Sequence, residues 1–328
     1  MAKPMSSIES SKGEKCVYCG KDALVSLPYG PHKFCKEHFI YFFEKRVRRT
    51  IRMNRLIEGR EKIAVAVSGG KDSLSTLYIL NKIFGKSNEI VAVMVDEGIY
   101  GYRDKAIEIA KKNCEEWGIK YEIVSMKEEL GITMTEVMSK IPKGQLEQSS
   151  CSYCGVFRRK LLNQKAHEIK AKKIATGHNL DDECQSILMN IASNDIPRLA
   201  RLGPTTGVRK FKQFVPRIKP LYECPENEVH KFAELSDFDF CKAPCCPYSW
   251  QAKRNIFRKV VNEMEEEMPG TKFSILASFR KMKPLLKKEA SKGSAKLCEI
   301  CGSPTNERIC SSCEKLKGLK ELFGKDSL

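Results

Sequence analysis

Ser68-Gly69-Gly70-Lys71-Asp72-Ser73 lies directly after the apolar run Ile63-Ala64-Val65-Ala66-Val67 and directly before the helical pattern Leu74-Ser75-Thr76-Leu77-Tyr78-Ile79-Leu80. A strand, a tight glycine turn with a hydroxyl on each side, and a helix start together make a cradle for a phosphate. Backbone N–H groups in a first helical turn have no partner within the helix, and the helix dipole adds partial positive charge there. An anion is expected at this spot.

Apolar strands and helical patterns alternate outward from it. Strands are predicted over Ile63–Val67, Ile90–Val95, Lys120–Val124 and Lys173–Thr176, with helices over Leu74–Phe84, Arg103–Trp117, Val156–Lys170 and Asp181–Ala192. The alternation predicts an α/β fold, a doubly wound parallel sheet covered on both faces, whose ligands bind beyond the carboxyl ends of the strands. SGGKDS, Asp96-Glu97-Gly98 and Gly177-His178-Asn179 would converge there. The loop has neither the spacing of a Walker A motif nor that of a dinucleotide fingerprint. It resembles instead the pyrophosphate loop of the PP-loop ATPases, a Rossmann-like (HUP) class that cleaves ATP between the α and β phosphates and adenylates an oxygen of its substrate.

The chain has 328 residues, 41% of them apolar, enough for one large core with appendages. Its net charge of +17 calls for a polyanionic partner. No run reaches the roughly 18–20 apolar residues of a membrane span. Residues 1–14 lack the apolar centre of a signal peptide. A cytoplasmic protein without membrane contact is expected.

In such a chain fifteen cysteines point to metal rather than to disulfides. Cys16-x-x-Cys19 is followed by Cys35-x-x-His38, and Cys298-x-x-Cys301 by Cys310-x-x-Cys313. Each set supplies four ligands on two knuckles, the closed pattern of structural zinc, so two Zn²⁺ are expected. Gly20 and Gly302 allow the tight turn after each second cysteine. The loops between knuckles, 15 and 8 residues long, are too short for a core of their own. His32 falls outside the spacing.

The other eight cysteines form no further four-ligand set. Cys151-Ser152-Tyr153-Cys154 and the distant Cys245-Cys246-Pro247-Tyr248 leave a site one ligand short, which is the openness a reactive centre requires. A third zinc site, a redox dithiol, a persulfide carrier and an iron-sulfur cluster all use such spacing.

The order of these motifs, with Ala175-Thr176-Gly177-His178-Asn179-Leu180-Asp181-Asp182-Glu183 between CSYCG and Cys-Pro-Tyr, resembles the TtcA/TtuA superfamily of tRNA 2-thiolation enzymes, and most of all its TtuA/NcsA branch with knuckles at both ends. The likeness runs from Cys16 to Cys313. It implies that Cys151, Cys154 and Cys246 hold a 4Fe-4S cluster whose fourth iron is open. Cys246 is favoured over Cys245 because Pro247-Tyr248 follows it. Ser68, Gly69, Gly70, Lys71 and Ser73 would hold ATP phosphates, and Ala66, Val95 and Gly177 would surround the nucleoside. Asp72 and Asp182 would serve as nucleotide contacts, Mg²⁺ ligands or base. Taken alone, Asp181 and Asp182 also fit as an acidic pair satisfying a helix N-terminus. Arg158 and Arg159 could neutralise pyrophosphate or meet RNA. Cys114, Cys184, Cys224 and Cys241 match no motif and read as small packed thiols.

The implied reaction is adenylation of O2 of a tRNA uridine by ATP-Mg²⁺, then replacement of AMP by sulfur to give 2-thiouridine. The donor would be sulfide or the thiocarboxylate of a ubiquitin-like protein, and a homodimer is the family's expectation. The same thiolation through a cysteine persulfide, a PP-loop amidation or ligation on RNA, and a non-catalytic tRNA-binding role are the competing readings. Six cations among Lys45, Arg46, Arg48, Arg49, Arg52 and Arg55, on a helix spanning Phe39–Leu56, would face phosphate. So would the basic stretch 197–220 and a helix over Trp250–Met264. A Lys-rich linker is expected over Lys281–Lys292. Three units follow: residues 1–60 with the first knuckle and basic helix, 61–290 with the catalytic sheet, and 291–328 with the last knuckle.

Overall fold

A computed structural model describes residues 13–140, 149–206, 214–242, 246–249, 252–290 and 296–323. The chain opens with a hairpin, β1 (Val25–Leu27) and β2 (His32–Phe34), and the helix α1 (Lys36–Met53). The α/β core follows with β3 (Lys62–Ala66), α2 (Lys71–Phe84), β4 (Glu89–Asp96), α3 (Arg103–Glu116) and β5 (Lys120–Ser125). Two short helices, α4 (Met126–Leu130) and α5 (Met134–Lys140), lead to α6 (Ser150–Glu168), β6 (Lys173–Ala175), α7 (Leu180–Ala192) and α8 (Ile196–Arg201). The strands β7 (Thr205–Thr206) and β8 (Arg217–Ile218) precede α9 (Glu226–Leu235), α10 (Arg254–Glu267) and α11 (Thr271–Ala290). A last hairpin, β9 (Lys296–Leu297) and β10 (Pro304–Thr305), is followed by α12 (Ser311–Phe323).

Six strands form one sheet in the order β5-β4-β3-β6-β8-β7. All neighbours are parallel except β7, which pairs antiparallel with β8. The expected parallel sheet is therefore mostly parallel with one antiparallel edge. Two-residue strands carry too little periodicity to be read from sequence. The order runs outward from β3 in both directions, so the switch point lies between β3 and β6, where open α/β sheets bind ligands.

Strand period decides which core each side chain joins. Ile63 and Val65 of β3, with Ala92 and Met94 of β4, lie in one apolar cluster with α1, α2 and α9. Ala64, Val93 and Val95 lie in the other with Phe157, Leu161 and Leu162 of α6. Both faces are covered, which is why β3 and β4 read as continuous apolar runs. A third cluster joins Leu180, Cys184 and Ile187 of α7 to Leu276 and Phe279 of α11.

Four expectations change. α6 begins at Ser150, six residues before Val156, and carries Cys151 in its first turn and Cys154 at the start of its second. The expected linker is helical through Ala290, with Pro284 inside α11; packing of Leu276 and Phe279 in the third cluster outweighs the local breaker. The helix expected over Trp250–Met264 begins at Arg254, while Trp250 lies outside the described residues. Arg46 leaves the phosphate-facing set, because its guanidinium is paired with Glu228 at 2.8 Å and donates to Tyr29 Oη at 2.7 Å.

That Arg46 contact also joins hairpin, α1 and α9. Tyr29 O–H donates in a short hydrogen bond to Glu228, and Phe43 stacks on Phe232 at 4.4 Å. Val25, Leu27 and Phe34 of the first hairpin belong to the same core as the sheet. Replacing Phe43 with alanine is expected to lower unfolding free energy by about 3–5 kcal/mol in a urea titration, the cost of emptying a filled aromatic site.

Candidate active site

Two loops meet at the switch point, and glycine lets them touch. Gly69 sits at φ +80°, and a Cβ there would lie 2.2 Å from the carbonyl oxygen of Ala106 on α3. A Cβ on Gly177, in the loop after β6, would lie 2.8 Å from the backbone of Asp72 and Ser73. Gly70 is the N-cap of α2 and offers no side chain to the first-turn N–H groups. That end of α2 is left for an anion. By contrast α7 closes its own start: the Asn179 side chain accepts from Asp182 N, and the Asp182 carboxylate accepts from Asn179 N.

Hydrogen bonds hold the loop shape. Ser68 N donates to Ser73 Oγ at 3.0 Å, the two hydroxyls lie 3.1 Å apart, and Ser73 Oγ donates to Gly70 O. Cys241 N donates to Gly69 O at 2.9 Å. Lys71 Nζ, expected to face phosphate, is held 2.9 Å from both Asp72 Oδ2 and Glu226 Oε1. Burial lowers the Lys71 pKa, but the two carboxylates outweigh it and hold the ammonium above its ordinary range. Asn179 Nδ2 donates to Asp72 Oδ1 at 3.0 Å, and Arg254 Nη1 to Asp182 Oδ1 at 2.9 Å. Burial pushes the Asp72 carboxyl up, with Lys71 opposing. Asp181 is buried and satisfied by Lys272 and by Glu226 N, the latter at 2.7 Å. It faces away from open solvent as a structural carboxylate. His178 is exposed at the site, where desolvation and then the cations Lys219, Arg254, Arg158 and Arg159 hold its imidazole well below the ordinary pKa, with Nδ1 2.9 Å from Thr176 Oγ1.

Beside this loop a cavity of about 150 Å³ is lined by Ser68, Glu97, Cys151, Cys154, Arg158 and Cys246, among others. The fold thus brings the distant thiol next to the C-x-x-C pair and all three next to the glycine loop. Burial pushes the Cys154 thiol up to about 12 and raises Cys246. Cys245 lies outside the described residues, as do Arg209, Lys210 and Lys212 of the basic stretch. Cys114, Cys184 and Cys224 are fully buried, and Cys241 is half-buried beside Gly69.

Both end sets close. The ligand atoms of Cys16, Cys19, Cys35 and His38 all lie within 4.8 Å of one another, and so do those of Cys298, Cys301, Cys310 and Cys313. Each can hold one metal ion. Gly20 and Gly302 have φ +70° and +65°. Burial raises the thiols of Cys16 and Cys298, but backbone N–H donors outweigh it and pull both down to about 6. His32 stacks on Phe34 at 5.8 Å and takes no part.

Sequence reasoning missed Glu226 and Arg103. Arg103 is buried and donates to Val95 O at 2.7 Å and Ser68 O at 2.6 Å, tying two strand ends together. Neither lies in a motif. Both act from helix starts that only the packing brings to the loop.

An uncapped glycine turn at the switch point of a doubly wound sheet defines a nucleotide-binding protein of the PP-loop class. The chain belongs to the PP-loop domain family, whose model matches residues 42–265, and within it is related to tRNA 2-thiolation proteins. It is 36% identical over 324 residues to the tRNA 2-thiolation protein NcsA of Haloferax volcanii, covering 94% of this chain and 100% of that protein. It is 38% identical to the tRNA-5-methyluridine(54) 2-sulfurtransferase of Pyrococcus horikoshii, covering 94% of each. Among solved structures, the U34-tRNA thiolase NcsA from Methanococcus maripaludis with its 4Fe-4S cluster superposes with a TM-score of 0.79 at 37% identity, over 93% of this chain and 96% of that one.

Gly69→Ala is expected to cost about 1–3 kcal/mol of stability from backbone strain and to weaken ATP binding at least about tenfold by moving the N–H groups, read by calorimetry. Zinc titrated into metal-free protein is expected to saturate at two equivalents and to protect the seven knuckle thiols from a thiol reagent.

Proposed function

We propose that this chain is a tRNA-uridine 2-sulfurtransferase, a tRNA 2-thiouridine synthetase that consumes ATP. The observation that carries the reading is the shared cavity, in which Ser68 of the PP-loop and the thiols of Cys151, Cys154 and Cys246 face one space. An enzyme that activates an oxygen and then replaces it with sulfur needs both at one point. The names of the relatives agree.

In this reading the unpaired N–H groups at the start of α2, with Ser68, Gly69, Gly70 and Ser73, take phosphate oxygens. Lys71 turns from Glu226 towards them. Ala66, Val95 and Gly177 line the nucleoside, and Asp72 and Asp182 hold Mg²⁺. The uridine O2 attacks the α-phosphorus, so that the O2–P bond forms and pyrophosphate leaves. Sulfur then bonds to C2 as AMP departs with the oxygen.

The three thiols fit a 4Fe-4S cluster. They line one cavity without drawing to the 4.8 Å mutual spacing of the single-ion knuckles, and three cysteines leave one iron without a thiolate. Such a cluster supplies an open iron for sulfur. Cys151 in the first turn of α6 and Cys154 just beyond it would set developing negative charge near a helix N-terminus.

The two end sets would hold Zn²⁺, and the units 1–60, 61–290 and 291–328 would act together on tRNA. The exposed face of α1, with Lys45, Arg48, Arg49 and Arg52, and the exposed Arg198 and Arg201 suit a phosphate backbone. The sulfur donor would be sulfide or a ubiquitin-like thiocarboxylate, the assembly a homodimer, and the compartment the cytoplasm. No described helix is long and apolar enough to cross a membrane.

Anoxic protein loaded with iron and sulfide, given unmodified tRNA, ATP-Mg²⁺ and sulfide, is expected to yield 2-thiouridine by mass spectrometry of digested RNA. Cys151→Ala is expected to fold, bind tRNA and still release AMP slowly, while product falls at least about a hundredfold, as for loss of a covalently acting group. Undiminished product from that variant would refute the reading. Relatives named for U34 and for U54 lie at nearly equal identity, so mapping the product assigns the position.

A further inference from the structure

The cavity at the start of α6 holds one carboxylate and two arginines, and the arginines are used differently. Glu97 and Arg103 are both 4% exposed. Arg103 Nε lies 2.8 Å from Glu97 Oε2 and 2.7 Å from Val95 O, while its other nitrogens donate to Ser68 O and Val67 O. Its charge is compensated and its donors are spent on the strand ends. Arg158 Nη1 lies 3.5 Å from Glu97 Oε1, beyond ordinary N–H···O length. No hydrogen bond within the described residues uses its guanidinium, which offers five N–H donors in a fixed fork.

One charge is therefore left over. Glu97 answers Arg103, and Arg158 stands half-exposed on the wall that also carries Cys151, Cys154 and Cys246. The other anions of the reaction have separate partners. Phosphates of ATP face the start of α2 and Lys71, and RNA phosphates face the arginines of α1. A cavity of about 150 Å³ admits a small group, not a nucleotide.

Resting on the thiolation reading above, we infer that Arg158 is the seat for the anionic sulfur the reaction consumes, as hydrosulfide or as the thiocarboxylate end of a donor. Glu97 holds the guanidinium at the cavity without spending its donors. The step is an association only: the anion exchanges water for N–H donors, and no bond is made or broken by Arg158.

The test is a binding titration of anoxically reconstituted protein, followed by the absorption and electron paramagnetic resonance of its iron. Sodium sulfide is added in one arm and thioacetate in the other. Arg158→Gln is expected to weaken binding about tenfold or more, the usual cost of a lost charge-assisted hydrogen bond. Arg158→Lys should fall between, and Arg159→Gln, one residue on, should match the wild type. Weakening in the sulfide arm alone identifies hydrosulfide as the ligand, and weakening in the thioacetate arm alone identifies a thiocarboxylate. Should the Gln variant fail to hold iron, the Lys variant is read in its place against the same wild-type curve. Unchanged affinity in both arms with iron content intact overturns this inference alone. A wild-type protein that takes up no iron at the three cysteines overturns the functional reading and this inference together.

Discussion

Backbone meets backbone where β3 and β6 end, and the rest of the site depends on that contact. Gly69 presses on the carbonyl of Ala106, and Gly177 presses on Asp72 and Ser73. Neither approach leaves room for a Cβ. The two loops can then share one crevice, with the Asn179 side chain bridging to Asp72. Because Gly70 leaves the start of α2 uncapped, the free N–H groups of that helix point into the same crevice. Sheet order, glycine placement and helix polarity thus converge on one anion site.

Charge around this crevice is balanced by groups far apart in sequence. Lys71 rests between Asp72 and Glu226, and Asp182 is held by Arg254. Deeper in, Asp181 pairs with Lys272 and Glu183 with Lys219. Buried carboxylates and ammoniums of this kind persist only when matched, since an unpaired one costs several kcal/mol (about 3–5). The matching leaves one carboxylate in excess of the cations near the phosphate loop. The uncompensated cation sits instead beside the thiols, at Arg158.

The end knuckles dock on opposite sides of the sheet. The first contributes Val25, Leu27 and Phe34 to the core beneath α1 and α9. The last extends into α12, whose Leu319 enters the other core with Phe157 and Leu161 of α6, and whose Lys315 lies over the Tyr153 ring at 4.1 Å. Tyr153 stands between Cys151 and Cys154. The terminal four-cysteine set is therefore braced against the helix that carries two of the three central thiols. Among the described residues its own apolar support is slight, with Ile309 beside the cysteines, so a bound metal would join α6 in giving it shape.

Much of this was legible in the residues. The continuous apolar runs of β3 and β4 announce strands covered on both faces, and Ser68 to Ser73 announces a phosphate cradle, because strand, glycine turn and helix start are contiguous in the chain. The knuckles are local as well, since x-x spacing places two ligands on one turn wherever the chain folds. Other features were not legible. The antiparallel β7 is two residues long and carries no pattern. The helical start at Ser150, the helix running through Pro284 and the withdrawal of Arg46 from the surface are decided by packing, which overrides local preference. Glu226, Arg103 and the meeting of Cys246 with Cys151 and Cys154 depend on contacts between segments up to about 150 residues apart. Sequence by itself determined the class of fold, the phosphate loop and the metal-binding ends, because those are short-range consequences of residue type and spacing. Only the tertiary structure decided which charges are spent, which are free and which thiols share a cavity, because electrostatic pairing and burial are properties of neighbours in space.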